Sequence, residues 1–143
     1  MPGNPTTRPS LMDIGKDLVA ASSTPIVLAI LAEGDSYGYA ILQRVRELSA
    51  GRMAWTDGML YPVLHRLERL GHIASRWEVP ETGRKRKYYR ITSAGISELH
   101  EQRQQWQAVD ATLRGLWGAI GAVANSGGSL TAVHRTVVLS FTS

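Results

Sequence analysis

Apolar residues recur along this chain first at helical spacing, then at strand spacing, then at helical spacing again over a much longer run. The clearest block is residues 56–71, TDGMLYPVLHRLERLG. Leu60, Leu64 and Leu67 stand at i, i+4 and i+7 with Val63 beside them, one apolar stripe of a helix. At 100° per residue the opposite face collects Gly58, Tyr61, Pro62, His65, Arg66 and Arg69. Thr56 or Asp57 caps the start, and Gly71 sits where a left-handed residue ends a helix. Pro62, past the first turn, removes a backbone bond and favours a kink. A helix with a leucine underside and an outer face of aromatic, His and Arg groups suits a DNA major groove, although a polar outer face is also what plain solvation produces.

Upstream, residues 1–9 carry three prolines and no apolar period, which predicts a loose arm. Ser10 with Asp13 resembles a capping box for a short helix bearing Leu11, Ile14 and Leu18. A break is expected at Ser22-Ser23-Thr24-Pro25, with Thr24 as cap and Pro25 as the first residue of a new helix. The run that follows, IVLAILAEG, is apolar almost all round and predicts a buried central helix ending at Gly34. A third helix is expected from Tyr37 to Ser49, capped by Asp35 or Ser36, with Ala40, Ile41, Val45 and Leu48 inward. Gly38, Tyr37 and Tyr39 are expected against the preceding helix.

After Gly71 the period becomes two. Ile73, Ser75, Trp77 and Val79 alternate with His72, Ala74, Arg76 and Glu78, a strand with Trp77 on its inner face. Pro80-Glu81-Thr82-Gly83 forms a turn, and RKRKYYRIT returns as a second strand ending at Ile91. Helix, turn, helix, strand, basic turn, strand is the order of a winged helix-turn-helix. Thr92 then caps a long helix. Ile96, Leu99, Arg103, Trp106, Asp110, Leu113, Trp117 and Ile120 fall on 3,4 spacing, the seam of a helix pair. A second copy of the chain is the expected partner, with folding back on the same domain as the alternative. Arg103 and Asp110 either pair across the seam or sit at its edge.

The expected fold class is therefore mainly α with a small two-stranded wing: a winged helix-turn-helix plus a long C-terminal dimerisation helix. Its expected divisions are an arm with a short helix (1–22), the DNA-binding domain (23–92), the dimerisation helix (93–124), and a tail (125–143). The NSGGS stretch ends the helix, and the β-branched tail fits a strand or a helix equally.

Composition narrows the chemistry. The 143 residues include no cysteine, which removes disulfides, thiolate metal sites and cysteine nucleophiles. No apolar run reaches the roughly 20 residues of a membrane span, and the N-terminus lacks a secretory signal pattern, so a cytoplasmic protein with no membrane partner is expected. The net charge of +4 favours an anionic partner, and its placement is more telling. Residues 84–90 hold five cations (Arg84, Lys85, Arg86, Lys87 and Arg90) and no acid. A merely solvated hairpin tip is served as well by mixed charge, whereas like charges packed this closely gain from phosphates to neutralise them. Four histidines (His65, His72, His100, His134) show no metal-ligand spacing, and no phosphate loop or nucleophile motif is present. No catalytic residue, metal or cofactor is implied.

Three segments together resemble a known family: Gly38-Tyr39 opening a core helix, GMLYPVLHRLERLGHI (58–73) and RKYYRITSAG (86–95). They are similar to the PadR family of transcriptional regulators over about residues 26–113. The resemblance implies a dimeric winged-helix repressor of double-stranded DNA, dimerised by its C-terminal helix. It also implies a possible small aromatic or drug-like effector near the dimer interface. By the same resemblance DNA contacts come from the Tyr61-Pro62 helix and from the wing, here Arg84, Lys85, Arg86 and Lys87. Trp106 is either a ligand-stacking residue or a tryptophan buried between two helices. Two departures stand out: Thr82-Gly83 replaces the family's Gly-Pro at the wing tip, and the glycine-rich tail is long.

The candidate DNA-binding residues are thus Thr56, Gly58, Tyr61, Pro62, His65, Arg66, Arg69, Arg84, Lys85, Arg86 and Lys87. The candidate dimer contacts are Ile96, Leu99, Arg103, Trp106, Leu113 and Trp117. The competing reading is a winged-helix module that binds protein without specific DNA binding.

Overall fold

A computed structural model describes residues 13–126, with side chains up to 121. The expected arm, the Ser10 cap and the tail from residue 127 lie outside the described residues. The elements in order are α1 (Lys16–Glu33), β1 (Ser36–Tyr37), α2 (Gly38–Leu48), α3 (Asp57–Arg69), β2 (Ile73–Glu78), β3 (Arg86–Ile91) and α4 (Ser93–Ser126). They form two compact units, the first ending at His100 and the second beginning at Glu101.

The first unit packs α1, α2 and α3 with a three-stranded sheet of order β1-β3-β2. Its core holds Leu28 and Leu31 of α1, Ile41 and Val45 of α2, Leu60, Leu64 and Leu67 of α3, Ile73 of β2 and Tyr89 of β3. Each of the buried aliphatic side chains among these contributes about 1.5–3 kcal/mol relative to exposure. The apolar stripe expected on residues 56–71 is the buried face of α3. Thr56 is its cap, with its hydroxyl accepting from the Met59 amide at 3.3 Å. Gly71 follows at φ +81°, the left-handed conformation expected there. Pro62 does not interrupt α3: the carbonyl it leaves unpaired belongs to Gly58, in an exposed first turn.

The expected break at Ser22–Pro25 is absent, and α1 is one helix through it. The Ser22 hydroxyl donates to the Leu18 carbonyl at 2.7 Å and the Ser23 hydroxyl to that of Ala20 at 2.9 Å, so both serines bond within the helix. Burial of Val27, Leu28, Ile30 and Leu31 in the second half outweighs one missing bond at Pro25. Thr24 is therefore no cap; its hydroxyl accepts from Arg66 of α3 at 2.8 Å.

Three further expectations change in this unit. Neither Asp35 nor Ser36 caps α2: Tyr37 is the N-cap, with no side-chain cap bond, and residues 36–37 form a strand pairing Ser36 with Tyr89 and Tyr37 with Tyr88, so the expected two-stranded wing is a three-stranded sheet. Leu48 at the end of α2 is exposed, and after a turn through Ala50 (φ 54°) and Gly51 (φ 81°) the next buried apolar place goes to Trp55. Gly38 faces Tyr61 of α3, not α1.

Thr92 joins α4 to the rest as expected. Its hydroxyl accepts from the Gly95 amide at 3.1 Å and donates to the Gly71 carbonyl at 2.7 Å. Helix α4 runs through Asn125 to Ser126, slightly past its expected end. No described helix is long and apolar enough to cross a membrane.

Candidate nucleic-acid interface

Strand alternation sorts the wing into two faces. In β2 and β3 the cross-strand pairs Ile73–Ile91, Ser75–Tyr89 and Trp77–Lys87 share one face, and Ala74–Arg90, Arg76–Tyr88 and Glu78–Arg86 the other. Ile73 and Tyr89 place the first face on the core. The strands continue beyond that core, so Trp77, expected inside, keeps the inward parity but is 58% exposed. What it meets instead is charge: the Lys85 and Lys87 ammonium groups lie 5.2 and 5.9 Å from its ring centroid.

Beside Trp77 opens a groove of about 550 Å³ lined by Tyr37, Gly38, Tyr39, Tyr61, Trp77, Arg84, Lys85, Arg86 and Lys87. The first turn of α2, the outer face of α3 and the wing thus converge on one concave surface, with four cations and four aromatic rings. The Arg86 guanidinium lies 4.6 Å from the centre of the Tyr37 ring, and Tyr37 meets Tyr88 edge-on at 5.3 Å. Bonding toward the Tyr88 hydroxyl, then the nearby Tyr37, raises the Arg86 pKa. Below the groove, burial pushes the Tyr89 hydroxyl above its ordinary value, and Tyr61 and Glu68 add to the shift.

Not every cation near the wing is available. Arg76 donates to Asp35 at 2.7 Å and to Glu78 at 2.6 Å, and lies 5.3 Å from the Tyr88 ring centre. Two carboxylates therefore already answer its charge. Arg66 is exposed but donates to Thr24. Pro62, His65 and Arg69 are exposed on α3, as are Thr56 and Gly58 at its start, but none of these lines the groove. Trp77, Tyr37 and Tyr39 also line it; the sequence pattern places Trp77 inside the sheet and the two tyrosines against α1, which gives none of them a DNA-facing role.

A second cavity, about 490 Å³, is lined by Ile14, Val19, Met53, Trp55 and Met59 with Asp13, Lys16 and Arg52. Its apolar walls and mixed charges offer phosphate far less than the groove's four cations, which have no ion pair among the described residues. Among the described residues no group of His, Asp and Glu is placed to hold a metal ion.

On α4, Ile96, Arg103, Leu113 and Trp117 are exposed and Trp106 is half-buried. Leu99 is half-buried against the core of the first unit. Asp110 accepts from Arg114 on its own helix at 2.7 Å.

Residues 27–101, more than half of the chain, match the sequence profile of the transcriptional regulator PadR-like family. The transcriptional regulator Rv3488 of Mycobacterium tuberculosis is 35% identical over 101 residues, 71% of this chain and 88% of that protein. Among solved structures, a transcriptional regulator from Clostridium thermocellum is 33% identical with a TM-score of 0.65, covering 71% of this chain and 95% of the other. A PadR family regulator from Eggerthella lenta is also 33% identical, with a TM-score of 0.57, covering 68% and 79%.

Proposed function

The chain belongs to the PadR-like family of transcriptional regulators, which are not enzymes, and we propose that it is a cytoplasmic, dimeric, sequence-specific repressor of double-stranded DNA. The observation that carries this reading is the groove where Tyr61 of α3 faces Trp77 and the cations Arg84, Lys85, Arg86 and Lys87. A helix and a charged hairpin on one concave surface match a duplex: the helix meets base edges in the major groove and the hairpin takes the phosphates beside it. In this reading Tyr61, Pro62, His65 and Arg69 face base edges in the major groove of the DNA, and Thr56 and Gly58 approach its phosphate backbone at the helix start. Arg66 follows only if it releases Thr24.

The exposed apolar residues of α4, Ile96, Leu113 and Trp117, support pairing with a second copy, with Arg103 and Trp106 beside them and Leu99 at the edge of the core. A small aromatic effector that relieves repression would lie near Trp106. Selection of bound DNA from a random pool, followed by mobility shift on selected and scrambled duplexes, tests the reading. A recurrent sequence with two half-sites is expected. Failure to enrich any sequence, with equal retention of both duplexes, would overturn it in favour of a protein-binding module.

A further inference from the structure

Position 38 has no backbone reason to be glycine. Its φ lies outside the left-handed region that favours this residue, and it opens α2, where alanine is the better helix former. The space around it explains the choice. A Cβ built there would stand 2.5 Å from the Tyr61 hydroxyl oxygen and 3.2 Å from Tyr61 Cζ. The third nearest atom, at 3.9 Å, is again of the Tyr61 ring. All the crowding comes from one side chain, and that side chain is the aromatic residue α3 contributes to the charged groove.

We propose that Gly38 is the positioning residue for Tyr61: the missing side chain on α2 is the seat in which the recognition tyrosine rests, and filling it changes DNA discrimination without touching DNA. This rests on the reading of Tyr61 as a groove-edge contact. Tyr61 is 40% exposed, so a methyl at position 38 displaces the flexible end of a ring toward solvent. The fold is kept and the ring is moved. A separation of about an ångström at a base edge is enough to lose a hydrogen bond.

The experiment is a double-mutant cycle on operator and scrambled duplexes, with the aromatic NMR signals of Tyr61 followed in the free protein. Gly38→Ala should shift the Tyr61 ring signals and lower operator preference about as much as Tyr61→Ala does, roughly tenfold for one lost base contact. In a Tyr61→Ala background Gly38→Ala should have no further effect. Tyr61→Phe with Gly38→Ala should shift the ring less than Gly38→Ala alone, because the hydroxyl is the nearest atom. Unmoved Tyr61 signals would overturn the proposal. So would a loss of preference that persists at full size in the Tyr61→Ala background, which would assign Gly38 its own contact with DNA. A displaced ring with operator preference intact would overturn it as well. Tyr61→Ala then locates the fault: if it too leaves preference intact, the reading of Tyr61 as a base contact has failed.

Discussion

Removing Lys85 and Lys87 together should change how DNA binding responds to salt. Both ammonium groups line the groove, both lie over Trp77, and neither has an acidic partner in the described wing. A cation that neutralises a phosphate releases a condensed counterion and contributes about 0.9 to the slope of log K against log salt. Lys85→Ala with Lys87→Ala should therefore flatten that slope by about 1.8 per subunit. Over a fourfold rise in salt the variant then loses about 12-fold less affinity than the wild type for each subunit bound. The same flattening is expected on operator and random DNA, because phosphates carry no sequence. Fluorescence anisotropy with a labelled duplex, titrated at four or five salt concentrations, reads the slope.

Arg76 provides the internal contrast. It is a cation on the same sheet, but its guanidinium already bonds Asp35 and Glu78, and hydrogen bonding to Glu78 and then Asp35 raises its pKa. A guanidinium held by two carboxylates neutralises no phosphate and releases no condensed counterion, so Arg76→Ala should leave the slope at the wild-type value. A Lys85/Lys87 variant with an unchanged slope, or an Arg76 variant that flattens it as much as one lysine, would refute the assignment of free and answered charge in the wing.

Three other outcomes follow from the packing. Leu64→Ala truncates a fully buried residue of α3 and should cost about 2–5 kcal/mol in chemical denaturation; a smaller loss would place Leu64 outside the core. Gly95→Ala would set a Cβ 2.0 Å from the His72 carbonyl oxygen and 2.7 Å from Ile91 Cγ1, so α4 must shift away from its Thr92 cap. A destabilisation of at least about 1–3 kcal/mol is expected, and an unchanged melting temperature would contradict the close approach. Leu113→Asp with Trp117→Asp charges two exposed positions of the proposed seam and should give a helical monomer by light scattering and circular dichroism. Its affinity for two half-sites should fall far more than for one. A dimeric variant, or a monomeric wild type at micromolar concentration, would reassign the seam.

What the sequence disclosed and what it hid divide along the range of the forces involved. The leucine stripe of α3, the Thr56 and Thr92 caps and the two long strands are decided within a few residues, and all stand where the local pattern puts them. The local signal at Ser22–Pro25 predicts a break that α1 does not make, because the contacts that stabilise α1 come from other elements. Strand β1 escaped for a related reason. Two residues have no period, and Ser36 and Tyr37 become a strand only because Tyr88 and Tyr89 arrive beside them from fifty residues away.

The site shows the same division more sharply. Arg84 to Lys87 were visible as a run of charge, and Tyr61 as a position on a helix face. Neither pattern reveals that Arg76, four residues past the α3–β2 turn, is silenced by Asp35. Nor does inward parity guarantee burial: Trp77 obeys the alternation of β2, yet the strand outruns the core by the time it reaches that residue. Availability of charge and exposure of an aromatic ring are properties of the assembled surface. In this chain it is the surplus length of the wing beyond the core that turns a buried-looking tryptophan into a platform for two lysines, and a basic hairpin into one wall of a groove.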